Sequence, residues 1–312
     1  MYIWIMKKKL LLPILLIACL CAYYLLQNKT ASGNVNTDAE VLGTPMPALD
    51  GDNQGPYSRP QAWLEIPACA DEDYVNLYSF DMTLDGVTQR NYSLKWNESH
   101  LTADWVAYPL CKGNIGEGDR SNAFGVCPYM PLDIQPVIVE GYRKGNCGWY
   151  SRGHQIPSGD RRQYSANVAT FYGVNMTPQD EDFNGGLWEN LESKVRWWSR
   201  KCDTLYVVTG CTYDGYRGEY VRDNENRHVA VPTGYYKALL MRRGKSFHAC
   251  AFSFENRPYE DQSISLDMAM SLDELESRTG MEFFPLLKDM IGEHGYRAVK
   301  SENPSTQSCW GR

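Results

Sequence analysis

The chain has 312 residues, 43% of them apolar, with nine Trp and 21 Tyr, which is ample for a packed core and excludes an intrinsically disordered protein. Its formal charge is −7, and without Lys7, Lys8 and Lys9 the balance is 28 basic to 38 acidic residues, a net −10. A generally basic surface is thereby excluded, so any polyanion must be met by a local positive patch.

Residues 1 to 26 read as an export signal: three lysines, the apolar run Leu10 to Ala18, then Cys19. Leu16-Ile17-Ala18-Cys19 resembles the bacterial lipobox, in which the cysteine is lipidated and becomes the new N-terminus. Apolar character continues through Leu26, so an uncleaved membrane anchor is the runner-up and a cleaved, fully secreted protein the third option. The first two readings give a membrane-anchored protein whose body faces the periplasm or cell exterior, with the basic flank in the cytoplasm. From about Gln27 to Ala62 the chain is rich in Asn, Asp, Gly, Pro, Ser and Thr and reads as a flexible tether. The linker is drawn through residue 66, with one domain over residues 67–312.

Eight cysteines follow the leader: Cys69, Cys111, Cys127, Cys147, Cys202, Cys211, Cys250 and Cys309. An even number in an exported chain favours disulfides, and no C-x-x-C pair points to metal instead. Tyr92 to Leu94 and Trp105 to Tyr108, separated by the polar stretch Trp96 to Thr102, are expected to pair as strands. A Gly-rich loop from Cys111 to Cys127 holds Arg120, and the Pro-punctuated segment Pro128 to Pro136 leads to Val137-Ile138-Val139; loops of this length usually carry function. Thr204 to Thr209 reads as a buried strand ending at Gly210. Tyr235 to Met241 and Phe247 to Phe254 read as an antiparallel pair turning at Arg243-Gly244-Lys245. Ser271 and Glu274 have capping-box spacing, predicting a helix to about Arg278 ahead of Gly280. Strands with a few helices and no regular βαβ alternation give an α+β class.

The chemistry-bearing residues gather between Tyr150 and Glu192. A lone histidine is more often structural than catalytic, but His154 follows Arg152 and Gly153 and precedes the turn Ser158-Gly159-Asp160-Arg161-Arg162. Arg143, Lys144, Arg152, Arg161 and Arg162 put five positive charges within twenty residues, which reads as a local anion site or, more blandly, a solvated basic loop. Asn184, just before the apolar-periodic run Leu187, Trp188, Leu191, Val195, Trp198, is a natural helix N-cap. Glu192 falls beside that apolar stripe, where a carboxylate needs a partner: a buried ion pair, or a cation that it and Asn184 both face. Asn175, in Asn175-Met176-Thr177-Pro178-Gln179, is by itself only a turn residue.

In order, Arg-Gly-His-Gln, Pro-Ser-Gly-Asp-Arg, Asn-x-Thr-Pro-Gln and Phe-Asn-x-Gly-x-Trp-x-x-Leu-Glu resemble the DNA/RNA non-specific endonucleases, the ββα-metal (His-Me finger) nucleases that include secreted bacterial nucleases and mitochondrial endonuclease G. The resemblance covers about residues 67 to 290, taking in Ala103 to Tyr108, Val208-Thr209-Gly210, Val231 to Lys237 and Asp273 to Gly280. It implies an antiparallel sheet core flanked by helices and a Mg²⁺-dependent hydrolase, Mn²⁺ being an alternative. DNA and RNA are the implied substrates, cut with little sequence preference to 5′-phosphate ends. It further implies His154 as general base, Asn184 as metal ligand, Glu192 as orienter of metal-bound water, Asn175 as a positioning residue, and Arg152 and Arg120 as phosphate holders. One departure stands out: the family usually has Asp where this chain has Ser151.

The competing readings are a catalytically degenerate lipoprotein of the same fold that binds nucleic acid or a partner, and a different hydrolase. Against the latter, Gly244-Lys245-Ser246 lacks the P-loop glycine because residue 239 is Leu239, and neither a G-x-S-x-G elbow nor an H-E-x-x-H helix occurs. A homodimer is left open.

Overall fold

A computed structural model of the chain describes residues 63–68 and 76–311. The export signal with Cys19, the tether as far as residue 62, and Cys69 lie outside the described residues. Among those described, no helix is long and apolar enough to cross a membrane.

In chain order the strands are β1 (Leu77–Leu84), β2 (Val87–Asn97), β3 (Thr102–Leu110), β4 (Ser151–His154), β5 (Met176–Gln179), β6 (Thr204–Thr212), β7 (Tyr220–Arg222), β8 (His228–Ala230), β9 (Gly234–Arg243) and β10 (Ser246–Glu255). The helices are α1 (Lys112–Ile115), α2 (Tyr164–Thr170), α3 (Glu181–Phe183), α4 (Glu189–Ser199), α5 (Leu272–Thr279) and α6 (Leu287–Lys300). The centre is a six-stranded antiparallel sheet ordered β1-β2-β3-β6-β9-β10. The α+β class and the antiparallel core read from the sequence are therefore both present. Leu94 lies opposite Val106 in the β2–β3 pair, and Arg243 opposite Ser246 where β9 turns into β10 through Gly244, whose φ of +58° suits glycine.

Alternating side chains send the sheet's residues to two cores. Leu205, Val207, Tyr235, Leu239 and Phe252 face one cluster, beneath α4; Tyr206, Val208, Tyr236, Ala238 and Ala251 face the other, beneath α5 and α6. Helix α5 begins where the spacing predicted: Ser271 Oγ accepts from Glu274 N at 3.2 Å and Gly280 closes it at φ +70°. Only half of the capping box forms, because the Glu274 carboxylate turns instead to Arg278 at 2.6 Å.

Two expectations are corrected. The linker does not run to residue 66: Trp63, Leu64 and Ile66 are buried in the second core, and Glu65 pairs with Arg90 at 2.7 Å while that guanidinium sits over the Trp63 ring. The polar composition stops at Ala62, and the apolar residues after it cover the sheet. Among the described residues there is also no disulfide, since Cys111, Cys127, Cys147, Cys202, Cys211, Cys250 and Cys309 are all free. Their sulfurs have other neighbours: Cys147 donates to the Tyr220 carbonyl, Cys202 to that of Ser199, and Cys211 accepts from Gln155.

Candidate active site

Strands β4 and β5 form a separate antiparallel ribbon, Ser151 opposite Gln179 and His154 opposite Met176, and β5 runs on into α3 and α4. That is a ββα unit. Arg152 and His154, two residues apart, share one side of β4, and Gly153 between them faces the other. A Cβ on Gly153 would stand 2.2 Å from Gln179 Oε1, so no side chain fits there.

The His154 ring meets Phe171 edge-on at 4.9 Å between centroids, with Phe124 at 6.3 Å. Its Nε2 is sealed from solvent without a partner, while the residue as a whole is only half-buried. Nδ1 is thus the ring nitrogen that reaches the open side. Burial, then Arg120, then Arg152 push the imidazole pKa down to about 3, so the ring is neutral at pH 7. Arg152 lies over the Phe124 ring at 3.4 Å and donates to the Ile138 and Val139 carbonyls at 3.0 and 2.6 Å. Arg120 lies over Phe171 at 4.8 Å and donates to Asn122 Oδ1 and Ser158 Oγ, each at 2.8 Å. It is close enough to Glu192 and Glu189 for both to oppose the lowering of its pKa by burial. Arg120 therefore links the histidine to α4.

Asn175 is fully buried and spends its whole amide on backbone: Oδ1 accepts from Ile156 N at 3.0 Å, and Nδ2 donates to the Ile156 and Thr170 carbonyls at 3.0 and 2.8 Å. It clamps the chain just after His154 and has no polar atom left for a ligand. Asn184 is not the N-cap. That place belongs to Asp180, whose Oδ1 accepts from Phe183 N at 3.0 Å, because the helix starts one turn earlier than the apolar period suggests. The chain from Asn184 to Trp188 then makes one turn of π-helix in which Gly186 leaves helical geometry (φ −118°, ψ −108°), a deviation common at functional sites. The Asn184 side chain, half-exposed, bonds to none of the described residues.

Arg161 is also corrected. It is no part of an anion site but a fully buried strut, donating to Asn91 Oδ1 and to the carbonyls of Asn91, Pro109 and Asp160. The exposed Arg143 guanidinium pairs with Glu140 at 3.8 Å, and its backbone exchanges hydrogen bonds with Arg222. The positive patch lies instead in a cavity of 250 Å³ lined by Arg120, Arg162, Arg196, Arg200, Asp119 and Ser158. Four guanidinium groups face Asp119 there, and with Arg196 answered by buried Asp160 the lining stays net positive, as an anion site requires. Sequence reading missed Arg196 and Arg200, although both continue the i, i+4 row that starts at Glu192 on α4. Arg196 is anchored to buried Asp160 at 2.8 Å, which also accepts from Tyr108 at 2.9 Å.

No group of three or more His, Cys, Asp or Glu side chains able to hold a metal occurs among the described residues. The donor on offer is the Asn184 amide oxygen, with Glu192 on the following helix. A hard cation that keeps most of its water, as Mg²⁺ does, fits so sparse a set.

The profile of the DNA/RNA non-specific endonuclease family matches residues 74–290. The chain is 31% identical over 211 residues to mitochondrial nuclease EXOG of Danio rerio, covering 64% of this chain and 60% of that protein. It is 31% identical over 229 residues to mitochondrial nuclease EXOG of Homo sapiens, covering 68% and 61%. It therefore spans about three fifths of the length of these relatives. To a nuclease of Serratia marcescens it is 27% identical over 209 residues, 66% of this chain and 77% of that one. Among solved structures, a chain of the EndoG/EndoGI complex superposes with a TM-score of 0.50 at 21% identity, over 65% of this chain and 85% of that chain, a likeness of fold.

Proposed function

The chain belongs to the DNA/RNA non-specific endonuclease family, and from that premise we propose that it is a metal-dependent endonuclease hydrolysing phosphodiester bonds of both DNA and RNA. The observation that carries the reading is a neutral imidazole held between two arginines on the first strand of a ββα unit, beside a cavity of four arginines.

Nδ1 of His154 takes the proton of the attacking water, while the Nε2 proton stays sealed against the aromatic wall. Arg120 and Arg152 exchange their present carbonyl, amide and hydroxyl partners for the equatorial phosphate oxygens, where charge develops. An anion between the two arginines also offsets the field that depresses the histidine's pKa, so the base strengthens once substrate is bound. Glu192 accepts a hydrogen bond from water in the site. Asn184 would hold Mg²⁺ or Mn²⁺, which when bound supplies Lewis-acid polarisation of the phosphate and relief of leaving-group charge. Since water is the nucleophile, the ribose 2′-hydroxyl is dispensable and both nucleic acids are cut, to 5′-phosphate ends. The arginine cavity reads backbone rather than bases, so sequence preference is weak.

The test is nicking of supercoiled plasmid and degradation of single-stranded RNA with Mg²⁺. Both should stop in EDTA, and cleavage of RNA alone, persisting in chelator, would overturn the reading. A second reading, a non-cleaving binder of nucleic acid, is favoured only by Ser151, which starts β4 where the family usually places Asp. Retention on filters without nicking would establish it. We further propose export and retention at the membrane, supported by Leu16-Ile17-Ala18-Cys19 alone; labelling with palmitate, lost in Cys19→Ser, tests it.

A further inference from the structure

We propose that Trp149 and Tyr164 are base-stacking residues, one at each arm of the site, and that the polymer they hold is a single strand whose bases are unpaired. The proposal rests on the nuclease reading and deepens it by naming the form of nucleic acid that the site prefers.

Trp149 is 70% and Tyr164 71% exposed, and no other Trp, Tyr or Phe among the described residues is exposed. Single exposed apolar residues are common and need no role. These two differ in where they stand and in how firmly they are held.

The segment before Trp149 is clamped to β7: Arg143 N donates to the Arg222 carbonyl at 2.7 Å, Asn146 N to the Tyr220 carbonyl at 3.1 Å, and Asn146 Oδ1 accepts from Tyr220 N at 2.8 Å. Two residues after Trp149 the chain enters β4, with Ser151 opposite Gln179. Between these fixed ends the turn passes through Gly148 (φ +116°) and leaves the indole in solvent, with no hydrogen bond or ring contact to the described residues. Arg152 is three residues on, a stretch that even a fully extended chain keeps within about 11 Å.

Tyr164 stands at the other arm. It follows Arg162 by two residues and precedes Asn167 by one turn of α2, and both of those line the arginine cavity. Its backbone is set by the helix cap, where Gln163 Oε1 accepts from Ala166 N at 2.9 Å, and by Arg162 Nε donating to the Gly118 carbonyl at 3.0 Å. The phenol, like the indole, has no partner among the described residues.

One ring is thus next to the arginine assigned to the scissile phosphate, the other at the rim of the cavity, with His154 between them in the chain. The arginines answer the charge of a phosphate backbone, and the rings add flat apolar faces that phosphate does not need. In a duplex each base is covered by its neighbours in the stack, so such rings favour a strand that can splay its bases. Every base has such a face, so the contact adds affinity without sequence preference.

The experiment measures binding by fluorescence anisotropy in EDTA, so that nothing is cut. The probes are a labelled mixed-sequence single strand, the duplex of the same sequence, and a strand of equal length made of abasic sites. The parent chain is compared with Trp149→Ala, Trp149→Phe, Tyr164→Ala and Tyr164→Phe. The parent should bind the single strand more tightly than either other probe. Each alanine variant should lose roughly 5- to 100-fold for the single strand, the scale of one base–aromatic stack, and each phenylalanine variant should recover most of that loss. No substitution should change binding to the abasic strand or the salt dependence of Kd, which report phosphate contacts. With Mg²⁺ the same losses should appear in KM for the single strand and leave kcat unchanged. Equal losses for normal and abasic strands, an effect at only one of the two residues, no rescue by phenylalanine, or a parent without preference for the single strand overturns the proposal. So does a loss of affinity for phosphatidylglycerol vesicles in place of the strand, which would mark the rings as a membrane contact. A parent chain that binds as described but cuts nothing would sink the nuclease reading and leave the stacking in place.

Discussion

The two faces of the central sheet differ in what they bury. Beneath α5 and α6 the core is Trp105, Tyr206, Tyr236, Leu240, Phe283 and Phe284, with ion pairs such as Lys300–Asp273 left at its rim. Beneath α2 and α4 the apolar cluster is interrupted by buried Asn91, Asp160, Arg161, Asn167, Asn175 and Lys237. The same strands serve both faces, so the difference comes from what each face must hold. One face is packed for stability. The other spends free energy on buried polar groups in order to fix the arginines, the histidine and the carboxylate of the site.

The largest expected effect sets one face against the other. His154→Ala should lower kcat by roughly 10²- to 10⁴-fold, the usual range for a lost general base, with little change in melting temperature. Phe283→Ala, beneath Tyr236 on the opposite face with ring centroids 5.6 Å apart, should cost about 3–5 kcal/mol of stability and leave kcat per folded molecule unchanged. Plasmid nicking and thermal melting of the two variants check both. If Phe283→Ala lowers kcat as much as stability, the division between the faces is wrong.

Much of the scaffold was legible because long strands advertise themselves. Thr204 to Thr209 and the pair ending at Gly244 have the β-branched and aromatic runs that only a buried strand needs. The β4–β5 ribbon was not legible as strands, since Ser151–His154 and Met176–Gln179 are four residues each and hold two glycine or proline positions. Only their resemblance to a known family marked them. The π turn was hidden for a related reason: Leu187, Trp188, Leu191, Val195 and Trp198 keep a helical period straight through it, so Asn184 passed for a cap. Arg161 was read into the anion site and Arg196 was missed because a charge in a turn or on a helix says nothing about burial. The anion cavity draws arginines from three separate segments, and only the fold brings them together.

A smaller effect tests how the polar face is held. Asp160→Asn removes the charge on which Arg196 is anchored while keeping an acceptor for Tyr108. A loss of about 1–3 kcal/mol is expected, the scale of a buried group left with an unmatched partner. Activity should fall as well, through weaker substrate binding, because Arg196 is then free to swing out of the cavity. Unchanged KM for plasmid would mean that Arg196 does not meet the polynucleotide.

The smallest effect is invisible at pH 7 and appears on acidification. The folded-state pKa of His154, about 3, lies below the ordinary 6.5, so the neutral ring's contribution to stability is fully present above pH 6.5 and is lost as pH falls toward 3. The loss is at most about 1.4 kcal/mol per pH unit, and it should be absent from His154→Ala between about pH 6.5 and 5, before the carboxylates titrate. His100, lowered chiefly by burial and half-exposed, contributes in the same direction and is untouched by that substitution. Because Arg120 and Arg152 are the second and third causes of the depression, an anion bound between them should raise the His154 pKa and flatten the slope. The ring's proton NMR titration with and without inorganic phosphate reads this directly. A midpoint indifferent to phosphate would mean that the two arginines do not share an anion beside the imidazole, and the polar face would then be costly architecture without the chemistry assigned to it.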